Sequence, residues 1–122
     1  MTEQAKINLS DPKSLADGIA ALLDAKKGRD IVTVDLLGRT IIADYFVIAS
    51  ALSTTAVKAL SDHVEDELSK LGLEPLHRDA DPKWVALDYG SVIVHVFYKE
   101  LREFYQIERL WADGDNIKKF ID

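Results

Sequence analysis

Six consecutive residues, Tyr45-Phe46-Val47-Ile48-Ala49-Ser50, leave almost no polar side chain for water. Side chains along a strand point alternately to opposite faces, so a strand built from this run needs apolar cover on both sides. A lone hairpin or a one-sided sheet cannot provide that. The chain must therefore fold in layers, with helices packed on a sheet.

The flanking pattern supplies the layers. Ser10-Asp11-Pro12 reads as a helix start: Ser or Asp can cap the free amides, and proline tolerates an early helical position. Leu15, Ile19, Leu22 and Leu23 then form one apolar stripe, and Lys26-Lys27-Gly28 reads as the helix end, with glycine supplying the left-handed turn. The β-branched run Ile31–Leu36 predicts a strand, and Gly38-Arg39 a turn. Ser53 is placed to cap a second helix whose buried stripe is Val57, Leu60, Val64, Leu68 and Leu71, stopped by Gly72. Two prolines make 75–83 mostly loop, with a short edge strand near Leu76–Arg78. Trp84–Leu87 and Val92–Tyr98 read as a hairpin turning at Asp88-Tyr89-Gly90-Ser91. A final helix follows, with Leu101, Phe104, Tyr105, Leu110 and Trp111 available to pack inward, broken at Asp113-Gly114-Asp115. Residues 1–9 are expected as a flexible tail, 10–112 as one α/β domain with a mixed β-sheet and helices packed on it, and 113–122 as a C-terminal tail, a short helix at most.

Charge is spread unevenly. The net charge of −6 comes mainly from residues 61–90, whereas 1–60 are balanced. An acidic chain binds nucleic-acid phosphates poorly, so no direct nucleic-acid recognition is expected. An acidic segment can instead meet a basic protein surface. For Asp62, Glu65, Asp66 and Glu67 the plainer reading is the wet face of a helix. The chain has no cysteine, which removes disulfides, thiolate zinc sites and thiol catalysis. No apolar run approaches the roughly 20 residues of a membrane helix, and the start lacks the look of a targeting segment, so a cytoplasmic protein is expected.

Catalytic patterns are hard to find. His63, His77 and His95 fall on a helix, a loop and a strand, none with a ligand-like neighbour three or four residues away, so no metal is expected. The six glycines are single and sit at element ends, which gives no phosphate cradle and no expected cofactor. Nucleotidyl transfer needs paired carboxylates on a strand shortly after a Gly-Ser turn. Gly90-Ser91 is present, but no Asp-x-Asp follows it, and Asp79-Ala80-Asp81 precedes it and runs into Pro82. No catalytic residue is assigned.

Recognition is the better-supported class. Trp84 sits beside the acids Asp79 and Asp81, and tryptophan is enriched at binding hot spots. It reads either as a core anchor at a strand start or as an exposed aromatic anchor. His95 shares a strand face with Ile93 and Phe97. It reads either as a core histidine bonded to backbone or to an acid such as Asp88, or as a half-exposed side chain at an interface.

Four motifs carry a resemblance. They are Ala43-Asp44-Tyr45-Phe46-Val47-Ile48; Trp84 with Leu87-Asp88-Tyr89-Gly90; Val92–Phe97; and Glu100-x-Arg102-x-x-Tyr105-x-x-Glu108-x-Leu110-Trp111. Over roughly residues 12–112 the chain resembles the ribosomal silencing factor family, RsfS, also called Iojap-related or YbeB-like. It departs from the family pattern in the shorter loop Arg78–Lys83, which lacks a Glu-Gly, and at Ala51 and Ser91. The resemblance implies a nucleotidyltransferase-like α/β fold without catalytic carboxylates. It further implies a partner, the large ribosomal subunit, bound through its universal fourteenth protein on the face that meets the small subunit. Docking there would block subunit joining and repress translation when nutrients are short. Organelle members serve large-subunit assembly. The residues expected to bind the partner are Trp84, Asp88, Tyr89, Asp79, Asp81 and His95, and a homodimer is possible when the protein is free.

Overall fold

The apolar hexapeptide lies in strand β2 (Tyr45–Ala51), which is buried at every residue. The computed structural model describes residues 7–111 and 114–120. The elements around β2 are α1 (Pro12–Ala25), β1 (Arg29–Asp35), α2 (Thr54–Lys70), β3 (His77–Asp81), β4 (Trp84–Asp88), β5 (Val92–Tyr98), α3 (Lys99–Tyr105), α4 (Ile107–Trp111) and β6 (Ile117–Lys119). Among the described residues one six-stranded sheet has the order β3-β4-β5-β2-β1-β6. Only β2 and β5 run parallel; every other pair is antiparallel. The parallel pair needs a crossover, and α2 with the β3–β4 hairpin provides it.

Both helices of the first half cover one face. Leu15, Ile19, Leu22 and Leu23 of α1 and Val57, Leu60, Val64 and Leu68 of α2 meet Val47, Ala49, Val85, Leu87, Val94 and Val96 of the sheet. Each fully buried aliphatic side chain contributes about 1.5–3 kcal/mol, so this layer dominates stability. The opposite face holds a smaller cluster of Val32, Val34, Leu36, Ala43, Phe46, Ile48 and Phe97. It is covered by the short α3 and α4, with Leu101 and Ile107 packed against it. Among the described residues no helix is long and apolar enough to cross a membrane.

Local signals fared unevenly. Ser53 caps α2, its hydroxyl accepting the Ala56 N–H at 3.0 Å, and Gly72 takes the left-handed turn at φ 91°. Asp11 occupies the cap position of α1 without a side-chain cap bond, so neither Asp11 nor Ser10 works as the sequence suggested. Lys27, not Gly28, carries the positive φ after α1; Gly28 instead lies close under the Leu23 carbonyl, where a Cβ would come within 3.0 Å. Leu71 is the exposed C-cap of α2 rather than part of its stripe.

Two larger corrections concern the sheet edges. The segment expected as loop forms β3 through Asp81, so the connection to β4 shrinks to Pro82-Lys83. The segment expected as a short tail helix instead contributes β6, which pairs with Val32–Val34 of β1. The adjacent lysines Lys118 and Lys119 suit an edge strand, whose outer side is wet. The single final helix is in fact two, because Gln106 adopts a left-handed conformation at φ 49°.

Candidate partner-binding face

Register determines which side chains share the less covered face. Trp84 pairs with Asp81 on one side and Phe97 on the other; Ala86 pairs with Asp79 and His95; Asp88 pairs with His77 and Ile93. Directly paired residues project to the same side of a sheet. Thus Asp79, Asp81, Trp84, Asp88 and His95 stand together on the face away from α1 and α2. Five of the six residues named from the sequence therefore share one face of the sheet.

Trp84 is half-buried, which combines both of its sequence readings. Its ring stacks on Phe97 at 4.7 Å between centroids and leans on Tyr105 at 5.7 Å. Its indole Nε1–H donates to His95 Nδ1 at 3.1 Å. The two residues are diagonal neighbours across the hairpin, a distance aromatic side chains readily span. Trp84 then forms one wall of a depression of about 530 Å³ shared with Asp79, Ala80, Asp81, Lys83, Ala86, Leu101 and Tyr105. The exposed remainder of the indole therefore faces a groove with two carboxylates on its rim.

His95 differs from both of its expected states. It is only 8% exposed, so it is not a half-exposed interface residue. Its partner is Trp84 rather than backbone or an acid; Asp88 Oδ1 instead accepts the Gly90 N–H at 2.7 Å. The ring also packs edge-on to Phe46 at 4.9 Å. Burial pushes its pKa down to about 4. The neutral ring accepts at Nδ1, so Nε2 carries the proton, and that buried N–H has no hydrogen-bond partner among the described residues. His95 thus acts on Trp84 from beneath and presents little to a partner.

Tyr89 is on the other side. It is 7% exposed and belongs to the large core under α1 and α2. Its hydroxyl is buried with no hydrogen-bond partner among the described residues, and burial, then the Glu65 and Glu74 charges, raise its pKa. A ring so placed cannot share a docking patch with Trp84. Asp88, half-buried, is partly occupied in closing its own turn. Three of the four acids of α2 are also engaged: Asp62 with Lys58, Glu65 with Arg78, Glu67 with Lys70. That pattern fits a solvated helix face and leaves Asp79 and Asp81, both exposed, as the acids beside the groove.

Sequence reasoning missed the apolar rim. Phe104 and Leu110, expected to pack inward, are 78% and 75% exposed, and Tyr105 is half in solvent. The side chain of Trp111 lies outside the described residues. The α3–α4 pair is held by Arg102, 7% exposed, which donates to the Asp30 carbonyl at 2.6 Å, Ser50 Oγ at 2.9 Å and Glu108 Oε2 at 2.9 Å. The Arg102…Glu108 spacing is visible in the sequence, but only the fold shows that it fastens Tyr105 over Trp84. Among the described residues no group of three or more His, Asp or Glu is placed to hold a metal ion.

Comparison with known proteins agrees with this architecture. Residues 9–122 match the family model described as ribosomal silencing factor during starvation. The Bacillus subtilis protein named ribosomal silencing factor RsfS is 35% identical over 104 residues, covering 84% of this chain and 88% of that one. A mouse protein named mitochondrial assembly of ribosomal large subunit protein 1 is 32% identical over 102 residues, 79% of this chain and 44% of its own length. A crystal structure of a Chromobacterium violaceum protein superposes with a TM-score of 0.76 at 27% identity, covering 94% of both chains. The fold, the motifs and the match over nearly the whole length place this chain in the ribosomal silencing factor family.

Proposed function

We propose that this protein is a steric repressor of translation in the cytoplasm. It binds the large ribosomal subunit through the universal fourteenth protein of that subunit and keeps the small subunit away. The observation that carries the reading is the open sheet face. There a fixed tryptophan, a half-exposed tyrosine and two exposed carboxylates line one groove, with the exposed Phe104 ring edge-on to that tyrosine. Aromatic anchors with an acidic rim suit a basic protein surface: the anchors give affinity and the charges give encounter rate. No bond is made or broken in this mechanism; the bulk of the domain is the effector.

The residues divide the task. Trp84 and Tyr105 form the anchor, with His95 and Phe97 fixing the indole. Asp79 and Asp81 steer a basic surface toward it. His95, grouped with the contact residues on sequence grounds, supports the site from beneath Trp84, and Tyr89 belongs to the core on the opposite face. Co-sedimentation with purified subunits tests the reading. The protein should pellet with large subunits and with neither small subunits nor joined ribosomes, and it should suppress joining when mixed in before the small subunit. Equal pelleting with small subunits would refute it.

A role in large-subunit assembly is a second reading, favoured by the name of the mouse relative. It uses the same face. Accumulation of immature large subunits in cells lacking the protein, with joining unaffected, would distinguish it.

A further inference from the structure

Strand β3 is exposed at all five residues and forms one edge of the sheet. Its inner side is fixed by the ladder. In the β4–β5 pair the backbone bonds join Lys83 with Tyr98 and Tyr89 with Val92, so the odd-numbered residues of that stretch turn toward β5. Antiparallel ladders alternate, so Trp84, Ala86 and Asp88 turn their amides and carbonyls toward β3. Their partners Asp81, Asp79 and His77 turn inward to meet them. The amides and carbonyls of Arg78 and Ala80 therefore point out from the edge. The edge is also held in place, because Arg78 Nε donates to Glu65 of α2 at 2.7 Å.

The two sides of this edge differ in chemistry. On the open face lies the groove of Asp79, Asp81, Trp84 and Tyr105. On the helix face a second depression of about 440 Å³ is lined by Val57, Pro82, Val85 and the methyl-bearing Thr54 and Thr55. Ala80 and Asp81 border both. A strand laid along β3 would project alternate side chains to the two sides. Basic side chains would meet the carboxylates and lie against the aromatic rings, where a guanidinium gains most. Small apolar side chains would enter the depression beside α2.

We propose that β3 takes up an extended segment of the partner as a seventh strand, with basic and small apolar side chains in alternation. The proposal rests on the silencing reading and specifies how its docking occurs. Main-chain bonds to Arg78 and Ala80 would supply affinity, and the two depressions specificity. Charge also argues against a second copy of this chain as the occupant. Two β3 edges placed together would set Asp79 and Asp81 of each against those of the other, a device that commonly blocks edge-to-edge pairing. A basic strand turns the same charges into attraction.

The test is amide hydrogen exchange by mass spectrometry, with overlapping fragments across 76–82, on the full chain alone and bound to purified large ribosomal subunits. Ala80→Pro is measured alongside. Proline on an edge strand is tolerated where the amide faces outward, and it removes one donor without changing a charge. The expected result is new protection of the Arg78 and Ala80 amides in the complex, with binding of Ala80→Pro weakened roughly tenfold. If Ala80→Pro does not fold, protection in the wild-type complex decides. Wild-type binding with 78 and 80 exchanging as in the free protein would overturn the added strand while leaving the silencing reading intact. Absence of wild-type binding to large subunits would overturn both.

Discussion

The two faces of the sheet are built from the same strands and have opposite properties. Against α1 and α2 the strands present Val47, Ala49, Val85, Leu87, Val94 and Val96, all buried among aliphatic side chains. Across the sheet the intervening residues include Trp84, Ala86, Asp88, Ile93 and His95, and the cover is two short helices pinned by one arginine. The closed face has the features of a stability layer, with aliphatic side chains filling the middle of its strands. The open face concentrates aromatic rings, a neutral histidine and the carboxylates of the edge strand. A difference of one residue in position along β4 or β5 moves a side chain from one regime to the other.

If this division is correct, substitutions on the two faces should separate stability from binding. The largest loss of stability is expected from Ile19→Ala on the closed face, which removes a fully buried side chain and should cost about 2–5 kcal/mol in urea unfolding. The folded fraction should still bind large subunits with unchanged affinity. On the open face, Trp84→Ala should weaken binding by about 2–4 kcal/mol, the range for an aromatic hot spot. Because Trp84 also stacks on Phe97 and bonds to His95, some loss of stability should accompany it, visible as a lowered melting temperature.

His95 gives an effect that depends on pH. Its folded pKa, about 4, lies below the ordinary value of 6.5, so between these the unfolded chain binds the extra proton. The contribution of neutral, buried His95 is complete above pH 6.5 and is lost as pH falls toward 4, amounting to about 3 kcal/mol at most. Glutamine has no such titration. The stability difference between wild type and His95→Gln should therefore shift in favour of the variant as pH drops through that window, measured by urea unfolding at each pH. A difference independent of pH would show that His95 takes up its proton as readily in the fold as in the unfolded chain.

The smallest effect is expected at the rim. Asp79 and Asp81 are exposed, and rim charges act mainly on association. The double change Asp79→Asn with Asp81→Asn should cost about 1 kcal/mol or less and should flatten the dependence of association rate on salt, read by surface plasmon resonance. The dissociation rate, set by Trp84 and Tyr105, should change little.

The contrast between faces also explains which features the sequence disclosed. Periodicity marked the closed side well: the stripes of α1 and α2, the buried β2, and the alternation that places Val92, Val94 and Val96 together. These follow from simple spacing against one large core. The open side depends on pairings between distant segments. Nothing near Trp84 in the chain indicates that His95 accepts its indole hydrogen, although the hairpin register makes them diagonal neighbours. Tyr89, next to Asp88 in a recognisable motif, turns to the opposite face because one position along a strand reverses direction. Phe104 and Leu110 looked like core on helical spacing, but Gln106 breaks the helix between them, and both remain in water. The edges were misread because β3 and β6 are polar, and edge strands carry little apolar pattern.

The central claim is that the open face binds and the closed side does not. Hydroxyl-radical footprinting of the protein bound to purified large ribosomal subunits, read residue by residue, tests it directly. Trp84, Phe104 and Tyr105 should lose reactivity on binding, while exposed residues of α1 and of the far end of α2, such as Lys13 and Lys70, should react as in the free protein. Protection along α1 and α2 with Trp84, Phe104 and Tyr105 unchanged would contradict the account.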